Sequence, residues 1–205
     1  MNTRKKNIKL GTASRLLPVT CCMCFLFVAL SPMVAAGQTE GKQKPEQFSA
    51  TAFGQAGMFG GKSVGLNIYI TDYSSNQEVE DLANTLKTKG PDALLSAIQK
   101  MKEKGRVSPT GSVGWAIPVV RQHPTAKGRR IVMFGDRPIG FYEARNAPRS
   151  KGYEFGMLVL DVNEKGEGEG LLYGACKVKF TKDDQLEVEH YGQKPARLAA
   201  VKLAK

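Results

Sequence analysis

The sequence predicts an α+β domain: a curved antiparallel sheet of about eight or nine strands, able to close toward a barrel, with an αα-hairpin inserted after the early strands. Three observations predict it. Short runs rich in β-branched and aromatic residues fill most of the chain after Gln47. The apolar period switches to that of a helix only between Ser75 and Gly105. The later runs are joined by a few turn residues each, and such short links suit antiparallel neighbours.

The chain opens with Arg4, Lys5, Lys6, Lys9 and Arg15 and no acidic residue, followed by the apolar run Val19 to Leu30. That is the charge and hydropathy pattern of an export signal. Ser31 and Pro32 end the run, and Val34-Ala35-Ala36 supplies the small residues a signal peptidase reads, so cleavage is expected after Ala36. An uncleaved signal would instead remain as an anchor, since Leu16 to Ala36 is about the length of a bilayer span, although Pro18, Thr20, Ser31 and Pro32 make it a poor one. Cys21, Cys22 and Cys24 lie too early in the run for a lipoprotein signal. They leave with it, so the mature chain keeps Cys176 alone and forms no internal disulfide.

Gly37 to Gln47 contains no apolar residue and reads as a disordered leader, with one domain from Phe48 to Lys205. Phe48, Ala50 and Ala52 alternate with polar residues as a first strand, and Ser63 to Tyr73 is a second. Ser75 and Glu78 have capping-box spacing, and Val79, Leu82, Ala83 and Leu86 make one helix face. Gly90 stops that helix and Pro91 opens the next, whose face is Leu94, Leu95, Ile98 and Met101. After a link at Val107 to Gly114, strands are expected at Trp115 to Gln122, Arg129 to Gly135, Ile139 to Arg145, Tyr153 to Asn163, Gly170 to Thr181 and Gln185 to Tyr191. Pro195 to Lys205 has helix-favouring composition, but Ala199, Val201 and Leu203 alternate, and a final strand is the preferred reading.

The whole chain carries +11, of which the signal supplies five charges, so the mature part is moderately basic. Such a balance favours anionic partners such as lipid headgroups, cell-wall polymers or acidic proteins, while an exported location argues against nucleic acid.

Few residues suggest chemistry. Ala56 to Ser63 has the outline of a phosphate loop, but a strand rather than a helix follows it, so it reads as a hairpin loop. Cys176 alternates with Lys177 and Lys179 and shares a face with Leu172, Val178 and Phe180, which makes it a core thiol rather than a nucleophile. His123 and His190 stand far apart, without the spacing of a metal site, and no cofactor is implied. The segment from Arg129 to Arg145 mixes charge, aromatics and turns. Within it, Asp136, Arg137, Phe141, Glu143 and Arg145 are the candidate binding residues, since Phe141, Glu143 and Arg145 alternate onto one strand face. A surface ion pair would explain the same residues. Trp115 reads as a core anchor, and Arg145, Arg149, Lys151, Lys177 and Lys179 as a solvated or anion-facing patch.

The runs Gly90-Pro91-Asp92-Ala93-Leu94-Leu95, Gly128-Arg129-Arg130-Ile131-Val132, Asp136-Arg137-Pro138-Ile139-Gly140-Phe141 and Gly166-Glu167-Gly168-Glu169-Gly170 resemble those of a group of exported bacterial proteins with no assigned function. The resemblance implies the same strand, αα-hairpin, meander order and a final strand, and brings no activity or site residue. The order is also similar to the opening of helix-grip lipid-binding folds, but the long C-terminal helix that closes their cavity is missing. The expectation is therefore a periplasmic or extracellular non-enzymatic module that binds an apolar or anionic small molecule or an envelope surface. The competing expectation is an exported hydrolase using Glu143, Arg145, Asp136 or His123.

Overall fold

The structure is a computed structural model and describes residues 44–54, 61–140, 152–181, 185–191 and 194–204. The expected signal, and the leader up to residue 43, lie outside the described residues. The compact unit runs Glu40–Lys205. In chain order it comprises β1 (Glu46–Phe53), β2 (Ser63–Ile70), α1 (Asn76–Lys89), α2 (Pro91–Ile98), β3 (Gly105–Pro109), β4 (Trp115–Ile117), β5 (Val119–Thr125), β6 (Gly128–Gly135), β7 (Phe155–Asn163), β8 (Glu167–Phe180), β9 (Leu186–His190) and β10 (Ala196–Leu203).

All ten strands form one antiparallel sheet, in the order β4-β3-β2-β1-β10-β8-β7-β6-β5, with β9 added to the far half of β8. The two ends of this path, β4 and β5, are neighbours in the chain, separated by Pro118. The sheet must therefore curl until its edges meet, and it is a nearly closed barrel. Pro118 has no amide hydrogen to give a ladder, so the expected single strand from Trp115 to Gln122 breaks there. Its first part pairs with β3 and its second with β6. Ser74, in the segment after β2, bonds to the β5 edge: its amide donates to the Val120 carbonyl at 2.7 Å, and its Oγ accepts from the Val120 amide at 3.2 Å.

Alternation along the strands sorts side chains into two cores. Phe48, Ile68, Val107, Ile131, Leu158 and Leu198 belong to the cluster inside the barrel. The second cluster lies where α1 and α2 cover the outer face: Leu86, Leu94 and Ile98 pack with Phe155, Met157, Cys176 and Val178. Both faces of β7 are thus buried, which is why Met157-Leu158-Val159-Leu160 is apolar without a break. The capping box is formed as expected, with Glu78 N–H donating to Ser75 Oγ at 3.2 Å and the Ser75 amide donating to Glu78 at 2.8 Å.

Two bulges adjust the alternation. Opposite Phe155 to Met157, β8 runs from Cys176 to Tyr173 and so holds one extra residue. Leu172 therefore lies in the barrel cluster while Cys176 and Val178 lie in the outer one, which corrects the expected shared face. A second bulge at Ala200, the one non-glycine among the described residues with positive φ (51°), turns both Leu198 and Val201 inward. The final strand is present, with Leu198 in place of Ala199 on its buried face.

Other boundaries differ for local reasons. β1 begins at Glu46, inside the expected leader, because Glu46 and Gln47 pair with Ile70 and Tyr69. β3 occupies what reads as a link, since Val107 is its only large apolar residue. Ile139 and Gly140 form bends instead of starting a strand, with the Ile139 amide bonded to the Gly174 carbonyl at 2.6 Å; Phe141 to Arg145 lie outside the described residues. Gly168 and Gly170 let β8 run close to β7, because a Cβ there would stand 1.9 Å from the Asp161 oxygen and 2.2 Å from the Val159 oxygen.

Candidate functional site

The strand directions bring the start of β1, the β5–β6 turn, the β7–β8 turn and the end of β10 to one mouth of the barrel. Four side chains, Glu46, Tyr73, Gln122 and Arg129, meet there. Arg129, the second residue of β6, donates from Nη2 to Glu46 Oε1 at 2.7 Å and from Nη1 to Gln122 Oε1 at 2.9 Å. Tyr73 donates its hydroxyl to Glu46 Oε2 at 2.6 Å, and Arg129 Nη1 lies 3.5 Å from the Tyr73 oxygen. The guanidinium also sits over the Phe48 ring, 5.9 Å from its centroid, so it caps the end of the barrel core.

The charge state of this cluster follows from its surroundings. Burial pushes the Tyr73 hydroxyl well above its ordinary range, and its hydrogen bond to the Glu46 carboxylate pushes the same way. Burial disfavours the Arg129 charge, but the hydrogen bond to Glu46, together with the contact to Tyr73, outweighs it and holds the guanidinium more firmly charged. At neutral pH an uncharged Tyr73 phenol and a charged Arg129 guanidinium thus stand side by side, both bonded to Glu46. The cluster's bonds take three of the five N–H donors of Arg129, leaving two without a partner among the described residues.

Beside this cluster is an open hollow of about 420 Å³ lined by Thr125, Ala126, Gly128, Arg129, Asn163, Glu164, Gly166 and Leu203. Its walls are fixed turns. Asn163 Oδ1 accepts from the amides of Lys165 at 2.9 Å and Glu167 at 3.0 Å, and the Leu203 amide donates to the Gly166 carbonyl at 2.9 Å. A polar molecule entering here would meet one guanidinium edge, one carboxylate and several small residues. The barrel interior holds the apolar side chains of the first cluster.

The sequence-derived candidates fall elsewhere. Asp136 and Arg137 lie just past the opposite end of β6 and pair with each other at 3.2 Å, with the Arg137 side chain 54% exposed. Phe141, Glu143 and Arg145 lie outside the described residues, as do Arg149 and Lys151 of the expected basic patch. Lys177 and Lys179 are matched by Glu189 at 2.9 Å and Glu187 at 3.3 Å. His123 is exposed on β5 opposite Arg130, six residues along β6 from Asp136, a separation of roughly 20 Å at strand spacing. Asp136 and His123 thus do not converge. Cys176 is fully buried, and burial pushes its thiol up to about 12, so it is no nucleophile. Trp115 is a partly buried member of the barrel core. Gly61 and Lys62 close the β1–β2 connection through the Gly61 amide to the Gly54 carbonyl at 3.2 Å and the Gly54 amide to the Lys62 carbonyl at 3.0 Å; residues 55–60 lie outside the described residues.

Sequence reading did not single out Glu46, Tyr73 or Gln122. Glu46 lies 83 residues from Arg129, and only the closure of the sheet brings them together. Among the described residues no group of three or more His, Cys, Asp or Glu is placed to hold a metal ion, and no helix is long and apolar enough to cross a membrane. Comparison of the chain with protein-family models, with curated proteins and with solved structures found no match.

Proposed function

We propose that this protein is an exported, non-enzymatic binding module whose ligand seat is the barrel mouth, and that the ligand is a small polar molecule bearing an anionic group. The observation that carries this reading is Arg129: Glu46, Gln122 and Tyr73 fix its guanidinium at the rim of a hollow large enough for a small molecule, with two N–H donors unused among the described residues. A pre-oriented guanidinium loses little freedom on binding, and its planar fork suits carboxylate or phosphate. The apolar side chains buried against one another inside the barrel favour a seat at the rim over a ligand inside. The N-terminal charge and hydropathy pattern supports export to a periplasm or beyond.

The test is native mass spectrometry of the protein recovered from the periplasm, paired with ligand-observed NMR against a panel of small carboxylates, sulfates and phosphates. A retained mass, or saturable binding that Arg129→Gln abolishes while the protein stays folded, is expected. A bare mass with no binding to any member of the panel overturns the reading, as does binding that survives Arg129→Gln.

A further inference from the structure

We propose that β9 is an acid-released flap with His190 as its trigger. Among the described residues β9 pairs with one strand, the far half of β8, from Cys176–His190 to Phe180–Leu186. On the side facing the second core, Val188 stands opposite Val178 and His190 opposite Cys176, with the His190 ring edge-on to Tyr173 at 5.9 Å between centroids. Both ring nitrogens of His190 are shut off from solvent, and neither has a hydrogen-bond partner among the described residues. A neutral imidazole carries one donor and one acceptor, so this site forgoes both bonds. Orphaned groups of this kind are few in native proteins. A second proton would add a charge and a second unpaired donor in the same place.

Among the described residues the groups around the ring offer no compensation. Facing it from β8 are the Cys176 thiol and the Tyr173 phenol. Glu187 and Glu189 of β9 lie on the opposite face, engaged with Lys179 and Lys177, and Glu189 is also bonded by the Tyr153 hydroxyl. Tyr191, next in the chain, packs edge-on against Tyr153. The cation on the helix side is Lys87 of α1, over the Phe180 ring at 4.7 Å, further along β8. Burial alone lowers the proton affinity of His190.

The sign of the linkage follows. His190 takes up a proton less readily in the closed sheet than in an open one, so closure is fully favoured above about pH 6.5, the open-state value, and is weakened as pH falls through the lower closed-state value. β9 is the element that yields, because it is five residues long and one ladder holds it among the described residues. Its departure uncovers Cys176 and Val178, turning a covered apolar strip of β8 into an accessible surface. This inference is independent of the ligand seat, which lies at the mouth, away from the β8–β9 hairpin.

The test is hydrogen exchange on the full chain at about pH 7.5 and about pH 5, corrected for intrinsic rates, in wild type, His190→Phe and His190→Gln. In wild type, opening of residues 186–190 is expected to rise by up to about tenfold per pH unit between the open-state and closed-state values, while β6 and β7 hold their protection. Both variants are expected to show no such rise. A second readout needs no His190 variant. In the chain carrying Cys21→Ser, Cys22→Ser and Cys24→Ser, dithiodipyridine, which reacts with thiols in acid, should label Cys176 faster at about pH 5 than at about pH 7.5. Level β9 protection across this range, an equal rise in a folded non-titrating variant, or unchanged Cys176 labelling overturns the proposal.

Discussion

The β5 edge is tied to the segment after β2 through Ser74, and Ser74→Ala tests how much its hydroxyl contributes there. Ser74 is 2% exposed and Val120 is fully buried. The Val120 amide points away from its β6 partner toward Ser74 Oγ, 3.2 Å away, while the Ser74 amide returns a bond to the Val120 carbonyl at 2.7 Å. Alanine keeps the second bond and removes the first, leaving a buried N–H with no other acceptor, at a cost of about 1–3 kcal/mol. For a domain of this length, a central value of about 2 kcal/mol lowers Tm by roughly 4–8 °C. Chemical denaturation and thermal melting measure the loss, and amide exchange at Val120 locates it. Ser108→Ala is the control, since Ser108 is nearly as buried and makes no hydrogen bond to the β5 edge among the described residues. A Ser74→Ala loss below about 0.5 kcal/mol, with Val120 protection unchanged, would refute the claim that the Ser74 hydroxyl holds the β5 edge.

Gly168→Ala should be severely destabilising, by about 3 kcal/mol or more, because its Cβ would stand 1.9 Å from a β7 backbone oxygen that cannot swing away; a urea midpoint equal to wild type would count against the close approach of β7 and β8. Ala200→Gly should raise stability by about 0.5–1 kcal/mol in the same titration, since glycine removes the left-handed penalty at φ 51°, and a clear loss would argue against the bulge. Acid sensitivity should include Glu78. Burial raises its pKa, but the hydrogen bond from Lys104 at 2.8 Å and the bond from the Ser75 amide outweigh that and leave it lowered. The resulting stability is present above about pH 4.3, the unfolded value, and is lost as pH falls through the folded value, so Lys104→Met should flatten that part of the stability–pH curve.

Legibility in the sequence tracked the range of the interaction. The αα-hairpin could be read because its signals lie within a few residues: Ser75 with Glu78, Gly90 before Pro91, and apolar spacing that survives unchanged in the structure. Strand existence was nearly as legible, for alternation is equally local. Strand faces were not, wherever a bulge intervened. Cys176 was read with Leu172 because period two was carried straight through β8, and the extra residue near Gly174 and Ala175 has no strong sequence mark. β3 was missed for a different reason: its neighbours β2 and β4 make it a strand, not its own composition.

The candidate site was the least legible part, and the reason is geometric. A mouth site on a barrel is assembled from strand ends and turns, so its members are separated by whole strands: Glu46, Tyr73, Gln122 and Arg129 share no local pattern. Asp136, Arg137 and Phe141 to Arg145 drew notice because charge and aromatics cluster there within a few residues. Yet an adjacent Asp136–Arg137 pair with an exposed guanidinium adds little energy and needs no ligand to explain it. Arg129 is the more constrained residue. Its charge is partly withdrawn from water, it is held from two other strands and the segment after β2, and it caps the ring of Phe48. A side chain so fixed can serve stability, recognition or both. The double-mutant cycle of Glu46→Gln with Arg129→Gln separates them: a coupling near zero in stability with loss of ligand contact only in the Arg129 variants assigns the pair to recognition, whereas a coupling of about 1 kcal/mol or more assigns it first to holding the mouth together.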